Sequence, residues 1–96
     1  MIPPPMFSFR LYVAGDAQNS VRAIANLTAL CDQRLQDRHQ IEIVDVFRDP
    51  DRALADRIVM TPTLIRMEPS PIRRLVGTLE HADSVAVVLG FGATRG

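Results

Sequence analysis

Arg10-Leu11-Tyr12-Val13-Ala14-Gly15-Asp16-Ala17-Gln18-Asn19-Ser20-Val21-Arg22-Ala23-Ile24 decides how this 96-residue chain is organised. Residues 10 to 14 read as a buried strand, 15 to 20 as a polar turn with a glycine and capping side chains, and 21 onward as a helical pattern. Strand, short turn and helix start together make the first half of a βαβ unit. In such units the free N–H groups of the first helical turn point outward, where ligands sit. This turn holds no cysteine, histidine, lysine or glycine-rich phosphate cradle. The architecture offers a site and withholds the usual residues for chemistry.

Upstream, Phe7, Phe9, Leu11 and Val13 alternate with Ser8, Arg10 and Tyr12, the period of a strand with one strongly buried face. Before it, Pro3-Pro4-Pro5 cannot donate to a ladder, so residues 1–6 are expected as an extended arm. Downstream, Asn19 or Ser20 is a natural N-cap. Val21, Ile24, Leu27, Cys31 and Leu35 then recur at helical spacing, predicting an amphipathic helix of about four turns. Cys31 falls on that stripe, the place of a small core residue and not of a nucleophile.

Residues 41 to 47 are rich in β-branched side chains and predict a second strand, parallel to the first by the right-handed crossover rule. Asp49 or Asp51 should cap a helical segment running to Val59. Residues 60 to 67 read as extended, and the short link containing Pro69 and Pro71 permits only a hairpin to a strand at 72 to 77. Residues 80 to 91 read as a helix with Asp83 and Ser84 near its start. Its interior, Val85-Ala86-Val87-Val88-Leu89, has the composition of a strand. Gly90 counts as a helix penalty, so alanine there is expected to strengthen the helix. A frayed tail is expected over 92–96.

The length fits one domain, 1–96, with one core. There is no run of about eighteen apolar residues to span a bilayer and no secretory signal pattern, so a cytoplasmic location is the expectation. Eleven basic residues, all arginine, balance eleven acidic ones. That removes the global basic field that drives nucleic-acid binding. A single cysteine allows neither an internal disulfide nor a CxxC pair. His39 and His81 show no metal-ligand spacing, so no metal or cofactor is implied.

The order βαβαββα with a mixed sheet and Thr61-Pro62-Thr63 before the third strand resembles the α/β thioredoxin-like fold, in which a cis-proline faces the redox turn. Pro62 is therefore expected to be cis. More closely, the chain resembles the KaiB family of bacterial circadian clock proteins. The resemblance is carried by Leu11-Tyr12-Val13-Ala14-Gly15, Asn19-Ser20-Val21-Arg22-Ala23, Val44-Asp45-Val46 with Asp49-Pro50, Thr61-Pro62-Thr63-Leu64, and residues 71 to 79. It implies a non-enzymatic regulator that binds the KaiC-like ring ATPase, with a KaiA-like protein sequestered where one is present. It further implies fold switching to a βαββααβ ground state with a rearranged C-terminal half, and homo-oligomers, dimers or tetramers. The partner-binding residues it points to are Arg22, Arg66, Arg73, Arg74, Asp51, Leu54 and Arg57, with Arg66 and one of Arg73 and Arg74 sharing a basic hairpin face.

A second function class stands beside this one. A thioredoxin scaffold can use a helix-capping serine to activate glutathione, and Ser20 is the candidate, with Thr61 and Pro62 lining the groove. Thiol–disulfide chemistry of the thioredoxin kind is excluded by composition, since it needs a low-pKa cysteine at the helix start.

Overall fold

The computed structural model describes residues 6–92; the arm and tail expected at the ends lie, apart from Met6 and Gly92, outside the described residues. The elements run β1 (Phe7–Val13), α1 (Gln18–Arg34), β2 (His39–Asp45), α2 (Pro50–Ala55), β3 (Thr63–Glu68), β4 (Arg73–Val76) and α3 (Ala82–Leu89). That is the βαβαββα order, not the rearranged βαββααβ one. The four strands form one sheet in the order β2-β1-β3-β4. β1 lies parallel to β2 and antiparallel to β3, and β3 and β4 form the hairpin that the short link required.

Cross-strand register sorts the sheet into two faces, because residues opposite one another point the same way. Leu11 sits opposite Ile43 on β2 and Leu64 on β3. With Phe7, Phe9 and Val13 it packs under α1 and α3, against Ala23, Leu27, Leu30, Cys31, Val85, Ala86 and Leu89. Alternation in β1 therefore places its odd residues as expected. The opposite face is covered too: Tyr12, fully buried, packs with Val44, Ala53 and Ile65 beneath α2. A central strand pressed from both sides leaves no solvent face at Tyr12.

α1 keeps most of its expected stripe, with Leu27, Cys31 and Leu35 buried and Ile24 partly so, and differs in its first turn. It starts at Gln18 with Ala17 as N-cap and no side-chain cap bond. Ser20 is buried, and its Oγ accepts the N–H of Ala14 at 3.0 Å. Val21, placed on the apolar stripe by spacing, is 53% exposed. Ser20, Ala23 and Leu30 join Leu27 and Cys31 on the buried face. Close approach of the helix start to the end of β1 favours a small hydroxyl over valine at the contact.

β2 also starts and ends earlier than predicted, at Asp45 and not at Phe47. Asp45 Oδ1 accepts from the N–H of Gly15 (3.1 Å) and of Phe47 (2.9 Å), turning the chain and tying the two β-to-α turns together. α2 is six residues long, begins at Pro50 after Asp49, and stops where Arg57 takes a left-handed conformation, φ 56°. The segment to Val59 is thus a helix followed by a loop.

α3 confirms helix over strand for residues 82 to 89, but Gly90 has a different role from the one its propensity suggests. It is the C-cap, in the left-handed conformation at φ 92°. A Cβ there would also lie 2.7 Å from Nη1 of Arg66. Gly90→Ala should therefore destabilise the protein by about 1 kcal/mol or more instead of strengthening the helix. Thermal and denaturant unfolding of the variant check this. Leu64→Ala, at a fully buried position, should cost about 2–5 kcal/mol in the same assay.

Candidate protein interface

The corner where a thioredoxin keeps its thiols is formed here by the turn after β1 and by the Thr61–Pro62 peptide, which is cis. Pro62 is buried, and Thr63 Oγ1 donates to the carbonyl of Met60 at 2.6 Å, closing the loop before β3. Ser20 cannot present its hydroxyl to a ligand: the residue is 1% exposed and its oxygen already holds the Ala14 N–H. Cys31 is buried in the core, and burial pushes its thiol up to about 12. The glutathione reading of Ser20 thus lacks an accessible group.

On the side of the corner next to α2 the exposed surface is apolar, while Asp16, Gln18 and Asn19 keep the turn after β1 polar. Ala14, Val46, Phe47, Ala53, Ile58, Val59, Met60 and Thr61 line a shallow groove of about 240 Å³. Phe47 is 75% exposed and Val59 92%. Leu54, on the outer side of α2, is 75% exposed, with exposed Asp51 and Arg57 on the same short segment. Sequence reading singled out Leu54, Asp51 and Arg57 and missed Phe47, Val59 and Met60. Phe47 falls in the expected second strand and Val59 in the expected helical segment, so neither reads as a surface residue. The one signal available was Asp45, whose carboxylate ends β2 by accepting the Phe47 N–H.

Behind the groove, a charge network fastens α2 to the sheet. Arg10 Nε pairs with Glu42 Oε1 at 2.9 Å and its Nη1 with Asp56 Oδ2 at 3.0 Å, while Arg52 Nη1 reaches Glu42 Oε2 at 2.8 Å. The Tyr12 hydroxyl donates to Asp56 Oδ2 at 2.5 Å. Hydrogen bonds from Arg52, then Arg10, hold the Glu42 carboxyl at about 2 in place of 4.5. Asp56 is likewise lowered, chiefly by the Tyr12 hydrogen bond. Tyr12 itself is raised, first by burial.

Arg66 shares a sheet face with one of the paired arginines, as expected, but the two differ in exposure. Arg66 and Arg73 are register partners on the same sheet face, while Arg74 stands opposite Ile65 and points to the other. Arg73 and Arg74 are exposed, but Arg66 is only 5% exposed. Its Nη1 donates to the carbonyl of Leu89 at 2.6 Å and its Nη2 to that of Pro71. Burial lowers its pKa, with Arg73 adding to the effect. Arg66 is thus a strut between β3, the hairpin and the end of α3, and no contact surface. Local sequence could not show this, because the carbonyls that hold it belong to other elements. Arg22 is exposed on α1, with Nη1 3.7 Å from Glu80.

A thioredoxin-like sheet with no thiol at its redox corner and an apolar groove in that place defines the class of this protein. The KaiB domain family model matches residues 10–91, and the chain belongs to the KaiB family. It is 39% identical over 80 residues to the circadian clock protein KaiB3 of a Synechocystis strain, covering 83% of this chain and 78% of that protein. It is 36% identical over 89 residues to the circadian clock oscillator protein KaiB of Synechococcus elongatus, covering 93% and 87%. Among solved structures, the N-terminal domain of Synechococcus elongatus SasA superposes with a TM-score of 0.72 at 16% identity, covering 100% of this chain and 94% of that one. Chloroplastic thioredoxin z gives 0.74 at 20% identity, covering 86% and 75%. The last two establish the fold.

The network makes a pH prediction. A carboxyl whose folded pKa lies below its unfolded one contributes stability above the unfolded value, and that contribution is lost as pH falls through the folded one. Between pH 4.5 and about 2, the denaturation midpoint should fall more steeply for the wild type than for Glu42→Gln. Asp56 leaves a residual slope in the variant. Equal slopes would mean that solvent screens the Glu42 pairs completely.

Proposed function

We infer that this chain is a non-enzymatic regulator of the circadian clock type that acts by binding a KaiC-like ring ATPase. The observation that carries the reading is the exposed apolar groove at a corner from which the thiol chemistry of the fold is missing. Buried apolar anchors dominate the energetics of protein interfaces, and Phe47, Val59 and Leu54 lie open to supply them. Asp51 and Arg57 flank them as rim charges that set orientation and association rate. The thioredoxin-like arrangement is, on this reading, the binding-competent one. A βαββααβ arrangement of the C-terminal half, assembled as dimers or tetramers, serves as its resting counterpart, and a KaiA-like protein joins the complex where one exists. The site of action is the cytoplasm.

A pull-down with a KaiC-type hexamer, with and without ATP, tests the core of this. Capture in at least one nucleotide state is expected, and capture in neither removes the reading. Leu54→Glu combined with Val59→Glu should weaken capture by about 2 kcal/mol or more, roughly thirtyfold. Both positions are open to solvent, so the melting temperature should hardly change. Sedimentation of the free protein across concentration, beside chemical shifts for residues 84 to 89, tests the oligomeric counterpart. A monomer with only helical shifts there would oppose it.

A further inference from the structure

β4 is an outer strand of the sheet, and half of its backbone has no partner. The N–H of Gly77 donates to the carbonyl of Pro62 at 3.0 Å, continuing the register that sets Leu75 opposite Leu64 and Arg73 opposite Arg66. Hydrogen-bonded pairs alternate in an antiparallel ladder. Arg73 and Leu75 therefore share the phase of Gly77 and bond to β3, while Arg74 and Val76 turn their N–H and C=O groups outward. Among the described residues no other backbone group reaches either of them. An open row of this kind is a template for one more strand.

The side chains along that row read as a pattern. Val76 is 56% exposed. Leu75 forms one wall of an apolar groove of about 260 Å³ whose other walls include Leu79, Val85 and Val88. Arg73 and Arg74 are exposed and form no ion pair among the described residues. A strand added antiparallel, the more stable sense, meets Val76, Leu75, Arg74 and Arg73 in its own N-to-C order.

We propose that the β4 edge binds, by antiparallel strand addition, an extended protein segment in which two apolar residues are followed by two acidic ones. The residue opposite Leu75 enters the groove beside α3. The acidic residues face Arg74 and Arg73, one on each side of the sheet. Charge argues against a second copy of this chain as the occupant. In-phase pairing of two β4 edges sets Arg74 against Arg74, which repels, or leaves each arginine opposite an uncharged residue of the other copy, and in no such register does either arginine meet a carboxylate. The inference does not depend on the ring-ATPase reading, and its test contains no ATPase.

The probe is a capped peptide, Thr-Val-Leu-Glu-Glu-Thr, titrated into the isotope-labelled full chain and followed by amide NMR. Binding should move the amide signals of Arg74 and Val76 downfield and slow their hydrogen exchange, with smaller shifts at Leu79 and Val88. The charge-reversed peptide Thr-Val-Leu-Arg-Arg-Thr should bind the wild type about tenfold more weakly. Arg73→Glu with Arg74→Glu should invert that preference. Val76→Pro, which removes an outward N–H without touching the bonds to β3, should weaken binding of the acidic peptide at unchanged melting temperature. If Val76→Pro fails to fold, the charge-swap arm still decides. Absence of shifts along β4 at millimolar peptide, or equal binding of both peptides, overturns the proposal and leaves the arginines as guards that keep the edge unpaired.

Discussion

β1 is the central strand, with one face wholly buried and the other buried at Tyr12, and the rest of the fold is a response to that constraint. Phe7, Phe9, Leu11 and Val13 on one side and Tyr12 on the other must be kept from water, while Ser8 and Arg10 stay partly exposed. β1 needs strands along both edges to satisfy its backbone and a helical layer above and below to cover its side chains. β2 and β3 supply the edges, α1 and α3 the larger cover, α2 the smaller. α2 is too short to form a deep second core, and only Ala53 of it is buried. Charge completes what apolar area cannot, through Arg10, Glu42, Arg52 and Asp56. Because those groups are partly exposed, the network orients α2 more than it stabilises the protein.

The same constraint explains the buried guanidinium of Arg66. Its register partner across the sheet is Phe9, and the ring of Phe91 stands 6.1 Å from that of Phe9 and 5.3 Å from that of Phe7. The C-terminal end of α3 is thus pressed onto the sheet at the place where its last carbonyls need donors. Arg66 supplies one to Leu89, and Gly90 leaves room for it by having no side chain. A cation at the negative end of a helix is favourably placed. The arrangement binds three segments distant in sequence through one side chain.

The proposed function rests on what this economy leaves uncovered. The turn between β2 and α2 and the loop after α2 carry Phe47, Val59 and Met60 outward, because the short helix gives them nothing to pack on. They gather beside the corner that thioredoxins devote to thiol exchange, so the position of the fold's reactive site is retained while its chemistry is replaced by apolar surface. At the other side of the sheet, the hairpin ends in a strand of four residues whose outward backbone groups remain open.

The sequence by itself determined the element order, the parallel β1–β2 pairing and the β3–β4 hairpin, because these depend on local periodicity, on turn residues and on link length. It determined the core residues of β1, where a period of two repeats cleanly, and the core position of Cys31. Only the tertiary structure decided which residue of the first turn of α1 is buried, since Ser20 and Val21 differ by one step on the helix and the close approach to Ala14 selects the smaller. Only it decided that Arg66 is a strut and Gly90 a cap, roles defined by carbonyls and side chains of other elements. The exposed groove was illegible for the same reason. Phe47 and Val59 are apolar residues that flank the short α2, one in the turn before it and one in the loop after it, and local propensity cannot tell an apolar residue bound for a core from one left exposed.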